Sequence, residues 1–142
     1  SVSCCLFHTA VISNGLLYNF GHGNNGQLGQ GNEDNQYEAK LVENLTNVTS
    51  VSCGLYNTAV ISNGLLYTFG VGYHGRLGHG NQEKQLIPKL VESLTNVTSV
   101  SCGGFHTAVI SNGLLYTFGD GDSGRLGHGN KENQSIPKLV EN

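Results

Sequence analysis

Shifted by 49 residues, the chain falls on top of itself. Ser3-Cys4 returns as Ser52-Cys53 and Ser101-Cys102, and Ser13-Asn14-Gly15-Leu16-Leu17-Tyr18 returns twice unchanged. The stretches 50–93 and 99–142 differ at 10 of 44 positions, and no insertion breaks the register. A unit of this length is one supersecondary element that cannot bury its apolar face alone and does so against the next copy. The period predicts a single domain over residues 1–142, built from repeats 1–49, 50–98 and 99–142.

Within a copy the local signals are those of strands. Thr9-Ala10-Val11-Ile12-Ser13 and Leu16-Leu17-Tyr18-Asn19-Phe20 are short β-prone runs joined by Asn14-Gly15, and Asn63-Gly64 and Asn112-Gly113 repeat the joint. A two-residue type I′ turn needs positive φ at both central positions, which Asn and Gly accept at low cost. Upstream, Val51-Ser52-Cys53 alternates apolar and polar residues as a third strand would. The fourth candidate, Ile87-Pro88-Lys89-Leu90-Val91, with its counterpart at Ile136-Pro137-Lys138, carries a proline that cannot donate to a ladder, which places it at a sheet edge. Four short strands per copy with no helical period describe an all-β chain of three four-stranded β-propeller blades.

Composition narrows the function classes. The 21 glycines among 142 residues mark a turn-rich chain. No apolar run of about 18 residues is present, so no membrane partner is expected of the chain. With Lys+Arg 7 against Asp+Glu 10, the net charge of -3 gives no long-range attraction to phosphate, and the bases are scattered, so direct nucleic-acid binding is not expected. Three of the four cysteines recur singly as Cys4, Cys53 and Cys102, which reads as a small buried residue rather than a disulfide framework or zinc knuckle. Cys5, replaced by Gly54 and Gly103, is the irregular thiol. This usage suits a cytoplasmic or nuclear protein. The glycosylation triplets at Asn44, Asn47, Asn96 and Asn133 point to the extracellular space and are outweighed, because such triplets arise by chance in an Asn- and Thr-rich chain.

The run Cys102-Gly103-Gly104-Phe105-His106-Thr107, then Asn112-Gly113-Leu114-Leu115-Tyr116-Thr117-Phe118-Gly119, then Gly124-Arg125-Leu126-Gly127-His128-Gly129-Asn130 closely resembles the repeat of the regulator of chromosome condensation family, three times over. Departures are Phe20, Phe69 and Phe118 where the family has Trp, Asn57 in place of His8 and His106, and Gln30 in place of His79 and His128. The family closes seven blades into a ring, so the resemblance implies a partial segment of a seven-bladed propeller, completed by further blades or by self-association. It also implies a protein-protein interaction scaffold without catalysis of its own. The alternative is a guanine-nucleotide exchange factor for a Ran-like small GTPase, the activity of the founding member. That activity uses an insertion projecting from the ring, for which the strict spacing leaves no room in these blades. A light-sensing role like that of the family's ultraviolet photoreceptor needs clustered tryptophans, and the chain has none.

Several constellations look like chemistry and read better as scaffold. Gly21-His22-Gly23-Asn24-Asn25-Gly26 fits a dinucleotide fingerprint, but Gln27-Leu28-Gly29-Gln30-Gly31 follows in place of a helix, so no cofactor is expected. Asp120-Gly121-Asp122-Ser123-Gly124 opens like a calcium loop, yet Lys131 stands where the closing Glu belongs, so no metal is expected. The recurring histidines read as copied structural residues, and no catalytic group is assigned. The near-identical copies disagree between constant glycines: His22, Asn24 and Asn25 become Val71, Tyr73 and His74, then Asp120, Asp122 and Ser123. These nine form the candidate partner-binding set, with another protein as the partner and Tyr73 as the best anchor. A second variable set is Leu6-Phe7-His8, Leu55-Tyr56-Asn57 and Gly104-Phe105-His106.

Overall fold

The computed structural model describes residues 1–141 and holds three four-stranded antiparallel sheets, one per repeat. The first comprises β1 (Val2–Cys4), β2 (His8–Ser13), β3 (Leu16–Gly21) and β4 (Gln36–Leu41). The second comprises β5 (Val48–Cys53), β6 (Asn57–Ser62), β7 (Leu65–Gly70) and β8 (Gln85–Leu90), and the third β9 (Val97–Cys102), β10 (His106–Ser111), β11 (Leu114–Gly119) and β12 (Gln134–Leu139). In each sheet the strands lie side by side in chain order, and one-turn 3-10 segments at Tyr73–Gly75 and Asp122–Gly124 interrupt the last connection of the second and third.

The hairpins sit where the Asn-Gly pairs placed them. Asn14, Asn63 and Asn112 have φ of 52°, 53° and 50°, and the glycines after them 74°, 74° and 75°. Ser13 then faces Leu16, Ser62 faces Leu65 and Ser111 faces Leu114. The strands holding Pro88 and Pro137 are edge strands, where a missing N–H costs no ladder bond. In the second and third blades the first strand reaches further back than the Val-Ser-Cys alternation indicated. β5 begins at Val48 and β9 at Val97, each with a bulge near its start that admits Thr49 or Thr98.

The cores lie between blades. Ala10, Leu17, Val42 and Leu45 pack against Val51, Cys53, Val60 and Phe69 of the second blade. Ala59, Ile61, Leu66, Val91 and Leu94 pack likewise against Val97, Val109 and Phe118 of the third. Strand alternation explains the division: His8, Ala10 and Leu17 face the following blade, while Thr58, Val60 and Phe69 face the preceding one. Cys53 is buried as expected of the recurring thiols, Cys102 is half-buried, and Cys4 is exposed because no blade covers its side of β1.

Candidate functional site

Three antiparallel turns put two of the three connections of every blade at the same end of the sheet. The β1–β2 and β3–β4 connections share one end, and the Asn-Gly turn and the link to the next blade share the other. The two variable sets therefore meet. Backbone hydrogen bonds tie them in each copy: His22 N–H donates to the Phe7 carbonyl (2.8 Å), Val71 to Tyr56 (2.9 Å) and Asp120 to Phe105 (3.0 Å).

The fixed glycines hold this frame by close approach. A Cβ on Gly23 would lie 2.0 Å from the Asp34 carbonyl oxygen, on Gly72 2.3 Å from that of Glu83, and on Gly121 2.1 Å from that of Glu132. The start and end of each loop thus touch backbone to backbone, and only glycine fits. Asn35 Oδ1 and Asn133 Oδ1 accept from the N–H of Gly23 and Gly121, both at 2.9 Å. In the second copy, where Lys84 replaces that asparagine, Gln82 Oε1 accepts from His74 N–H instead.

Phe7, Tyr56 and Phe105 occupy one repeat position, one ring per blade. Phe7 stacks on Tyr56 at 5.3 Å with planes 5° apart, and His22 tilts against both. Phe105 takes His74 at its edge, with the guanidinium of Arg76 5.1 Å and that of Arg125 5.9 Å from its centroid. Arg76 is buried; its Nε donates to the Tyr73 carbonyl and its Nη1 to that of Gly104 in the third blade (3.0 and 2.9 Å). Arg125 is looser, its Nε on the Asp122 carbonyl and its ion pairs to Asp120 and Asp122 long at 3.7 and 4.0 Å.

Of the nine residues singled out, Tyr73 is 63% exposed, and Asn24, His74, Asp122 and Ser123 are also exposed. His22, Asn25 and Asp120 are half-covered. Val71 is buried, so its side chain belongs to the packing beneath the face. Leu6, Phe7 and Phe105 of the second variable set are exposed at the same end of the blades. The shared variability of both sets was the available signal for this grouping.

Three of the recurring histidines, His8, His79 and His128, are structural donors. Thr58 Oγ1 donates to the Gln27 carbonyl (2.7 Å), so His8 must donate its Nε2 proton to Thr58 (2.8 Å), across the first blade junction. Thr68 and Thr117 likewise donate to Leu77 and Leu126 and accept from His79 and His128. Burial pushes the pKa of His8 down to about 4, with His22 acting the same way. His79 falls to about 4 through burial and Lys89, against the pull of its Thr68 bond. Burial raises Cys53 to about 12 and Cys102 to about 11, far from thiolate reactivity at neutral pH. Among the described residues no cluster of three or more His, Cys, Asp or Glu is placed to hold a metal, and no helix is long and apolar enough to cross a membrane. A groove of about 320 Å³ between the first two blades, walled by Gln30, Lys40, Tyr67 and Ile87, is lined by none of the nine candidate residues.

Sheets packed face to face around a line of inner strands, with loops gathered at one end, define β-propeller blades. The family model for the regulator of chromosome condensation (RCC1) repeat matches residues 14–61, 63–110 and 112–142, and the chain belongs to that family. A search of curated proteins by sequence finds no match. Among solved structures it is similar to Prp20p from Saccharomyces cerevisiae, described with its binding properties to Gsp1p and histones (TM-score 0.87, 19% identity, 100% of this chain and 38% of that one). It is similar also to yeast RCC1 (Prp20) bound to Kap60 (0.86, 20%, 100% and 37%) and to human WBSCR16 (0.85, 25%, 100% and 39%). The chain thus spans under two fifths of the length of these structures.

Proposed function

We propose that this chain is a protein-binding scaffold whose loop face, carried on constant glycines, holds another protein through Phe7, Tyr73 and Phe105, with the polar variable residues around them. The observation that carries the reading is the union of both variable sets on one face, while the residues beneath hardly change between copies. Exposed aromatic rings offer large contact area at low entropic cost, and the charges of Asp120 and Asp122 bear mainly on association rate. The cytosol or nucleus is the compartment that suits four free thiols.

The second reading, nucleotide exchange on a Ran-like GTPase, is favoured by the likeness to Prp20p, whose description includes Gsp1p binding. Against it, the β3–β4 connections carry no insertion in any copy that could reach into a nucleotide site. The test is to cross-link the chain to its partners in extract, identify them, and measure affinities for wild type, Tyr73→Ala, Phe105→Ala and, at the opposite end, Glu92→Ala. Loss of about 30-fold or more in the two aromatic variants, with Glu92→Ala unchanged, is expected. Equal loss in Glu92→Ala overturns the assignment of the face. Acceleration of nucleotide release from a purified Ran-type GTPase puts exchange first.

A further inference from the structure

One repeat position beneath the loop face also changes between copies, from Gln27 to Arg76 to Arg125. Gln27 and Arg76 are 0% and 2% exposed, so the difference between them is hidden under the surface. Their backbones are hooked to the following blade in the same way: Thr58 Oγ1 donates to the Gln27 carbonyl and Thr107 Oγ1 to that of Arg76 (2.7 and 2.9 Å). The two junctions differ in where the side chain goes.

In the first junction the amide of Gln27 stays within its own loop. Its Oε1 accepts from the Asn25 N–H (2.9 Å), and the neighbouring loops meet instead through the Phe7 ring stacked on Tyr56. In the second junction Arg76 crosses. Its Nε donates to the Tyr73 carbonyl in its own loop, its Nη1 donates to the Gly104 carbonyl in the next blade, and its guanidinium stands 5.1 Å from the Phe105 centroid. His74, from the same loop as Arg76, meets the edge of that ring at 6.4 Å. One buried side chain therefore fixes both the backbone that carries Tyr73 and the loop that carries Phe105. Both rings stay open, at 63% and 41% exposure, so the pin restrains their position and not their access.

We infer that Arg76 is the positioning residue of the loop face, holding Tyr73 and Phe105 in one fixed arrangement before any partner arrives. This rests on the loop face being the binding face. An exposed ring on a loose loop gives up its freedom when it binds, which costs up to about tenfold in affinity for one such side chain. A ring already held has given it up in folding. In the first junction the stack of Phe7 on Tyr56 does the same work, so the face is made of two pairs of rings joined by different means, and the buried residue selects the means.

The test uses Arg76→Gln, the side chain that the first blade carries at this position and that the fold therefore accommodates. Amide hydrogen exchange on the 142-residue chain reads the hold without a partner. The N–H groups of Gly103 and Asp120, bonded to the His106 and Phe105 carbonyls, are expected to exchange about tenfold faster, while their counterparts at Gly54 and His22 keep their rates. Unchanged exchange at Gly103 and Asp120 overturns the inference. Against the purified partner protein recovered by cross-linking, Arg76→Gln is expected to lose about tenfold in affinity, and about threefold or less in a Phe105→Ala background, where only Tyr73 is left to position. A full loss in both backgrounds, or none in either, also overturns it. Wild-type affinity in Tyr73→Ala and Phe105→Ala themselves sinks the loop-face reading instead, an outcome separate from the exchange result, which needs no partner.

Discussion

The second and third blades have nearly the same sequence and different surroundings. Every residue of β6 is buried, although β6 and β10 share Thr-Ala-Val-Ile-Ser, whereas in β10 buried and half-buried positions alternate. A blade between two neighbours is covered on both faces, and one with a single neighbour shows the pleat again. Burial in a repeat protein is therefore a property of the junction more than of the repeat. The same substitution in two copies should read out the junction directly.

The largest difference is expected at Leu66 and Leu115. Leu66 is fully buried in the core between the second and third blades, so Leu66→Ala should cost about 3 kcal/mol through lost burial and the cavity left behind. Its counterpart faces no blade, and Leu115→Ala should cost under about 1 kcal/mol. Urea unfolding measures both. Equal losses would break the comparison, because they would mean that the repeat and not its neighbour sets the energy.

A smaller effect, with a defined pH window, separates His8 from His106. His8 is covered by the second blade and neutral in the fold, its pKa near 4, while the unfolded chain takes up a proton below about 6.5. A lowered folded pKa on a base gives stability that is complete above pH 6.5 and is lost as pH falls toward 4. About 2 kcal/mol should be gone by pH 5. His106 is also lowered by burial and Arg125, but Asp120 opposes the shift and no following blade covers the ring. Thermal melts from pH 7 to 5 should lose part of their slope in His8→Asn, the residue Asn57 already supplies at that position, and keep it in His106→Asn.

Much of this was legible in the sequence, for reasons that particular residues show. Asn63-Gly64 can turn a chain in few ways, Pro88 cannot sit in a sheet interior, and a clean period of 49 leaves little choice but stacked sheets. What sequence reading missed depends on topology. Phe7 and His22 are fifteen residues apart, and only the parity of antiparallel turns brings their connections to one end. Val71 was grouped with its variable neighbours and is buried, since the first residue after β7 still packs as if it belonged to the strand. Asn57, a departure from histidine on paper, is fully buried with its amide nitrogen 3.8 Å from Cys102 Sγ, a contact that exists only across a junction.

The finest test of the comparison is the pair of arginines around Phe105. Arg76 is fixed on two carbonyls, one of them in the next blade, and a lysine has neither the fork nor the planar face to replace both bonds. Arg76→Lys should cost about 1–2 kcal/mol and shift the NMR signals of Gly104 and Phe105, whose loop it pins. Arg125 has no following blade to reach; its charge rests on Asp120 and Asp122 at long range and partly in water. Arg125→Lys should change stability by under about 0.5 kcal/mol, and added salt should erase even that. A cost that is high for both would show that Arg125 is already held as firmly as Arg76, and the contrast between the two blades would fail at the site itself.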